Sequence, residues 1–220
     1  VIRVVVTGTG AYTGTIESNY TTRIGTSPTY LTAISPITGT GQVGQILAAG
    51  TTTPYGASVT YQWLRKLHGE ETYSEIPGAT MRTYTTTASD YGTYIKVVAT
   101  GAGSFSGWVE SDATGLISAA PITGISNIIG TVAQGQALTA GKVYPLGATI
   151  TYQWQRSDTS GNNYTNIDGA TSQHYVLSSE DLGRYLKVVV AGYGAYTGTA
   201  ISNAAGPVES TYTPLTSMGA

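Results

Sequence analysis

The sequence predicts an all-β chain: two tandem β-sandwiches preceded by part of a third. Three observations predict it. One passage occurs three times, as Ile2–Gly14, more loosely as Ile95–Gly107, and again as Leu186–Gly198. The last two copies each follow a long stretch that also matches between them, whereas nothing precedes the first. The remainder reads as short strands broken by turn residues, with no helical period longer than a turn. An internal repeat of this size marks an array of like modules, each with its own core.

The landmarks align at a constant spacing. Tyr61-Gln62-Trp63 returns 91 residues later as Tyr152-Gln153-Trp154. At the same offset Gly78-Ala79-Thr80 becomes Gly169-Ala170-Thr171, and Asp90-Tyr91-Gly92-Thr93-Tyr94 becomes Asp181-Leu182-Gly183-Arg184-Tyr185. Nearer the start, Pro36-Ile37-Thr38-Gly39 matches Pro121-Ile122-Thr123-Gly124 at an offset of 85. That difference predicts six extra residues in the second module, within 125–134, beside the module junction where a loop is easily lengthened. The expected division is a partial module with linker at 1–33, full modules at 34–118 and 119–208, and a tail at 209–220.

In the first full module an opening strand is expected near Ile34 to Thr38. Strands follow at Ile46–Ala49, Ser58–Arg65, Thr72–Ile76, Arg82–Thr86, Tyr94–Thr100 and Trp108–Ile117. Gly69, Pro77-Gly78 and Gly101-Ala102-Gly103 supply the breaks. Seven short strands in about 90–100 residues suit an immunoglobulin-like sandwich, in which two facing sheets share one core. Composition fits thin half-buried sheets: 17 Tyr against one Phe, with Tyr able to bury its ring and keep its hydroxyl wet.

Composition also excludes. Only 10% of residues are charged, against about 25% in a typical soluble protein, so polarity rests on Thr, Ser, Gly, Asn and Gln. A net charge of -2 with scattered Lys and Arg gives no footprint for nucleic acid or an anionic membrane surface. No apolar run approaches the roughly 20 residues of a membrane span. The absence of Cys removes disulfides, thiol catalysis and Cys–zinc sites. It also favours a prokaryotic over a eukaryotic extracellular origin. Without an initiator Met or signal peptide, Val1 is expected to be a processed or truncated end.

Trp63 and Trp154 stand in the third strand, where a buried indole anchors two sheets. The D-x-G-x-Y runs at Asp90–Tyr94 and Asp181–Tyr185 stand at the turn into the sixth strand. On these residues the chain resembles the immunoglobulin-like repeats of large bacterial and archaeal surface proteins, over roughly residues 34 to 208. The resemblance implies a structural core of Trp63, Trp154, Tyr94 and Tyr185, with each Tyr a corner residue whose hydroxyl ties the loop to the backbone. One departure matters. Two positions after each Tyr, where immunoglobulin domains carry Cys, this chain has Lys96 and Lys187. A shifted or bulged strand, or a Lys at the rim, would accommodate them, and the inward-facing set stays open.

Residues 1 to 24 match only the last two strands of a module: Val4, Val5 and Val6 in one, Thr13 to Ile24 in the other. Alone, such a hairpin leaves apolar residues wet and sheet edges unpaired. It is either a fragment of a longer array, or docked on the first full module, or completed by another chain through strand addition. In the last case Val4, Val5, Val6, Tyr212 and Leu215 are the self-assembly candidates, with the tail as an edge strand. Head-to-tail repetition of such a contact builds a filament or lattice.

No catalytic constellation emerges. His68 and His174 occupy non-equivalent places in different modules, and a triad or metal site needs converging groups. Glu70-Glu71 lie on a loop. Asp90 and Asp181 suit turns in which they cap backbone amides, and Asp158 and Asp168 also fall in turns. No calcium-loop pattern and no carboxylate pair across a groove is evident. Gly8-Thr9-Gly10, Gly101-Ala102-Gly103 and Gly192-Tyr193-Gly194 lead from strand to strand, so no helix N-terminus faces an anion. No cofactor or metal is expected. Asn19 and Asn163 head N-x-T sequons, and Tyr12, Phe105 and Tyr196 follow the glycine turns as candidate sugar-stacking or junction aromatics.

The expected function is therefore non-catalytic and extracellular: a self-associating module array of a prokaryotic surface layer, sheath or filament. Alternatives are a carbohydrate-binding or adhesin-stalk module, and an accessory region of a larger enzyme.

Overall fold

Residues 1–21 and 27–211 are described by a computed structural model of the chain. Tyr212 and Leu215, and the end of the second hairpin strand expected to reach Ile24, lie outside the described residues. Among the described residues the regular structure is β, apart from two single-turn 3-10 segments at Ala88–Asp90 and Ser179–Asp181.

Each full module is built around one long antiparallel pair. Val59–Leu67, the indole strand, lies against Thr93–Gly101, the return strand, with Trp63 opposite Val97. Trp108–Glu110 and Ser74–Glu75 flank the pair, giving a four-stranded sheet. A three-stranded sheet of Thr83–Thr85, Ile46–Ala48 and Thr38–Gly39 closes the other side. Buried side chains from both sheets, among them Leu47, Trp63, Ile76, Ile95 and Val97, form one cluster. The second module repeats this with Ile150–Ser157 on Tyr185–Gly192, Trp154 opposite Val188, and Leu138, Ile167 and Leu186 in the cluster. The fold is thus a tandem immunoglobulin-like array, held by two separate cores.

Alternation along the return strand settles which residues face in. Thr93, Ile95, Val97 and Ala99 are buried, while Tyr94, Lys96 and Val98 are half-buried on the outer face. Lys96 therefore lies outside the core, where it pairs with Glu110 at 2.6 Å and sits 4.5 Å above the Tyr73 ring. Lys187 stacks likewise on Tyr164 at 4.4 Å. The next residues, Val97 and Val188, are the buried ones and share the core clusters of the indoles.

The offset of 91 persists to the start of the modules, contrary to the expected six-residue insertion. Ala33–Ile34 pairs with Thr52–Thr53 as Gly124–Ile125 pairs with Val143–Tyr144. Gly39 and Gly130 both take positive φ, 115° and 133°, where an L side chain is strained, and a Cβ on either would meet a backbone oxygen of the next strand. The match of Pro36–Gly39 with Pro121–Gly124 is a coincidence of letters. What the second module preserves is burial, with Leu31 and Ile122 equivalent, and the glycine position that a tight turn needs. Thr29–Tyr30, which pairs with Phe105–Ser106, corresponds to Ala120–Pro121 pairing with Tyr196–Thr197. Residues ahead of 34 therefore contribute to the first full sandwich.

The junction between the modules leaves no slack. Ile117 and Ala120 belong to the first core, and Ile122 to the second. Ser118 N donates to Gly41 O at 2.9 Å, and Ser118 O accepts from Val43 N at 3.0 Å. Ala119 O accepts from Gln42 Nε2 at 3.2 Å. Ala120 N then donates to Ala195 O, and Ile122 N to Thr197 O, in the second module. Tyr196, at that hairpin tip, packs against both clusters.

Candidate functional site

The polar cluster with the most convergent chemistry lies beside the D-x-G-x-Y turn. Thr87 enters the 3-10 turn in extended backbone, and its N–H donates back to Asp90 Oδ2 at 2.7 Å, closing a local capping loop. That much follows from the turn sequence. The rest comes from elsewhere in the chain. Tyr84 Oη donates to the same oxygen at 2.7 Å, the Thr87 hydroxyl at 3.0 Å, and Arg65 Nη1 meets Oδ1 at 2.9 Å. The second module has the same set around Asp181: Ser178 N at 2.8 Å, Tyr175 Oη at 2.8 Å, Ser178 Oγ at 2.9 Å and Arg156 Nη1 at 3.2 Å. Arg156 also reaches Glu180 at 2.6 Å.

Both aspartates are fully buried. Burial alone would push the Asp181 carboxyl up, but the hydrogen bonds from Ser178, Tyr175 and Arg156 outweigh it and hold the group below the usual carboxylate value. Burial, and then the hydrogen bond to the aspartate, push the Tyr84 and Tyr175 hydroxyls up to about 12. Neither group is fitted to proton transfer. The carboxylate is enclosed and its oxygens are occupied by donors, so a substrate has no way in. The cluster pins the 3-10 turn, the indole strand and the strand before the turn to one another.

Tyr84 and Tyr175 thus hold the position that the sequence assigned to Tyr94 and Tyr185. The corner expectation is corrected for the latter pair. Both are half-buried on the outer face of the return strand, and Tyr94 Oη meets His68 Nδ1 at 3.3 Å instead of a backbone group. The alternation that buries Ile95 forces Tyr94 outward. The missed signal was a Tyr six residues before each Asp, together with an Arg two residues after each Trp, all repeating at the 91-residue offset.

Trp63 and Trp154 are buried, with 0% exposure. Their Nε1–H groups donate to Met81 O and Ser172 O, each at 2.9 Å, and their rings lie 5.7 Å from those of Tyr84 and Tyr175. The indole and the aspartate cluster are therefore joined through one tyrosine in each module.

The remaining candidates do not converge. His68 and His174 are exposed, and His174 Nδ1 meets Thr139 Oγ1 at 2.9 Å on its own sheet. Glu70 accepts from Leu67 N within its loop, Asp158 pairs with Arg184, and Asp168 is exposed in a turn. Among the described residues no three His, Cys, Asp or Glu side chains gather to hold a metal ion. An open hollow of about 460 Å³ is lined by Lys66, His68, Glu70, Tyr73 and Tyr94, and one of about 420 Å³ flanks the junction at Gln42, Thr87, Pro145 and Tyr196. Gly10, Gly103 and Gly194 share φ near 70° and turn strand into strand, with no helix behind them. Asn19 and Asn163 are exposed. Among the described residues no helix is long and apolar enough to cross a membrane.

Comparison with known proteins adds little to this geometry. No family model matches the chain. No curated protein matches it. Among solved structures it is similar to a crystal structure of chicken CNTN1 FN1-FN3 domains, at 14% sequence identity and a TM-score of 0.33. The match covers 80% of this chain and 65% of that one. A likeness that distant carries no argument about function, and the fold stands on the strand pairing and burial described above.

Proposed function

We propose that the chain is a non-catalytic structural segment of a prokaryotic extracellular protein, a stiff module array of the kind that builds a surface layer, sheath, filament or adhesin stalk. The observation that supports the reading is the junction. Backbone freedom costs about 1–2 kcal/mol per residue to remove, and flexible linkers keep it. Here Ser118, Ala119 and Ala120 are each bonded to one module or the other, and Tyr196 wedges between both cores. Such a joint transmits orientation from one sandwich to the next. The low surface charge lets like faces approach with little repulsion.

The test uses the lack of Cys. Spin labels at Tyr55→Cys and Asp168→Cys, one exposed site in each module, give a single narrow distance distribution in a rigid array. Insertion of two glycines between Ser118 and Ala119 broadens it. A broad distribution in the chain without the insertion overturns the spacer reading, and an antibody that fails to reach the protein on intact cells overturns the location.

One observation favours a second reading, glycan binding. Tyr30 and Trp108, both exposed, flank Gly107, and a Cβ at Gly107 would lie 3.4 Å from the Tyr30 ring. Exposed aromatic rings near one turn can stack on sugar rings. On a glycan array this reading expects binding that Trp108→Ala abolishes, and a blank array removes it.

A further inference from the structure

The return strand of each full module carries an outward Tyr and, two residues on, a Lys, and the loop after the indole strand adds a second Tyr. In the first module these are Tyr94, Lys96 and Tyr73, and in the second Tyr185, Lys187 and Tyr164. Lys96 lies 4.5 Å above the Tyr73 ring, and Lys187 4.4 Å above that of Tyr164. What repeats in this way belongs to the module. Two positions beside it do not repeat. Lys66 and His68 stand where the second module has Ser157 and Thr159, at the same 91-residue offset.

The exchange alters the loop. Ser157 is buried and its hydroxyl donates to Asn162 O at 2.6 Å, while Thr159 Oγ1 donates to the same oxygen at 3.2 Å, which ties that loop to its own strand. Lys66, half-buried at the corresponding place, lines the open hollow of about 460 Å³ with His68, Glu70, Tyr73 and Tyr94. Its Nζ sits 5.5 Å from the centre of the Tyr73 ring and 5.8 Å from that of Tyr94. Rings hold an ammonium in place without neutralising it. Lys96 is neutralised by Glu110 at 2.6 Å, whereas Lys66 has no carboxylate within ion-pair distance among the described residues. Glu70, the acid of the hollow, accepts from Leu67 N at 3.2 Å and is held to its own loop. His68 Nδ1 meets Tyr94 Oη at 3.3 Å on the same rim.

We infer that this hollow is a subsite for one carboxylated sugar unit of an acidic polysaccharide, with Lys66 as its counter-ion. The lining offers one unpaired ammonium beside imidazole, phenol hydroxyls and aromatic rings. A uronic acid has the matching proportion, one carboxylate on a ring of hydroxyls and C–H faces. An acidic peptide brings carboxylates without those hydroxyls. Phosphate or sulfate is best met by the forked donors of Arg, and Arg65 gives its own to Asp90. The inference rests on neither the stiff junction nor the stacking site at Tyr30 and Trp108. Trp108 pairs opposite Thr100, six residues along the return strand from Tyr94, and stacking there needs no charge on the sugar.

Calorimetric titration of the full 220-residue chain with tetragalacturonate at low salt is the test. A single site is expected, with the methyl ester of the same oligomer bound on the order of 10-fold more weakly. Lys66→Met keeps the apolar stem and removes only the charge, and should weaken the acid on the order of 10-fold as well. His68→Ala, at an exposed loop position, should also weaken it and replaces Lys66→Met if that variant does not fold. Lys142→Met, an exposed cation of the second module, should change nothing. Absence of binding, equal binding of the ester, or an equal loss from Lys142→Met overturns the inference. So does tetraglutamate or inorganic phosphate bound as tightly as the sugar. Binding that Trp108→Ala removes and Lys66→Met leaves intact overturns this subsite while sustaining the stacking site.

Discussion

Replacing Trp63 or Trp154 by Ala is expected to cost its module about 3–5 kcal/mol, the range for emptying a large aromatic site in a core. Three features place the loss at the upper end. Each indole is wholly buried and lies at the meeting point of both sheets. Its removal orphans a buried carbonyl, Met81 O or Ser172 O, which loses its indole donor. It also withdraws the ring against which Tyr84 or Tyr175 packs, and that tyrosine positions the buried aspartate. A domain margin of about 5–15 kcal/mol does not absorb such a loss easily. Amide exchange resolved by module is the measurement. The altered module should lose protection throughout its return strand while the other keeps its own, because the two cores are separate. Unchanged exchange in a Trp63→Ala chain would refute the assignment of the core.

The second large effect belongs to the aspartates. Asp181→Ala should destabilise the second module by about 3 kcal/mol, the low end for breaking a buried charged pair. The low end applies because Arg156 keeps 20% side-chain exposure and a second partner in Glu180. Asp90→Ala should cost about the same, since Arg65 makes its ion pair with Asp90 alone among the described residues but keeps more side-chain exposure, 33%. Acid should act on the same cluster. The Asp181 carboxyl sits below its ordinary value when folded, so its contribution is complete above the usual carboxylate range of about 4 and is lost as pH falls through the depressed value. Base acts with the opposite sign. The Tyr84 and Tyr175 hydroxyls are raised to about 12, so their contribution is complete below about 10, the value in an unfolded chain, and is lost as pH rises towards 12. Asp181→Asn should flatten the acid limb for the second module, and Tyr175→Phe its alkaline limb. Urea midpoints across pH would reveal either, and an acid limb that survives Asp181→Asn would place the titration elsewhere.

Period-two runs bounded by Gly and Pro, a Trp in the middle of one of them, and a repeat of 91 residues were enough to read two sandwiches and their third-strand indoles from the chain. Most strands lie within two residues of their expected ends, as with Ser58–Arg65 against Val59–Leu67. The last strand is an exception: Trp108–Ile117 shortens to Trp108–Glu110, because Ser111, Thr114 and Ile117 hold the return strand through separate bonds rather than a regular ladder. The Tyr94 error has the same origin as the uncertainty over Lys96. Hydrophobic letters alternate with Tyr and Lys along that strand, and either phase of a half-polar alternation looks acceptable until a facing sheet chooses one.

What the linear chain determined is what repeats locally: turn glycines, strand lengths, the aspartate that caps its own turn, and the absence of Cys. Only the tertiary structure decided which groups meet over distance. It brought Arg65 and Tyr84 to Asp90, and put Tyr196 of the second module against the core of the first. Those outcomes depend on partners 6, 25 and at least 76 residues away, and proximity in space is set by the closing of two sheets around an indole, a many-body packing event that no short window of sequence contains.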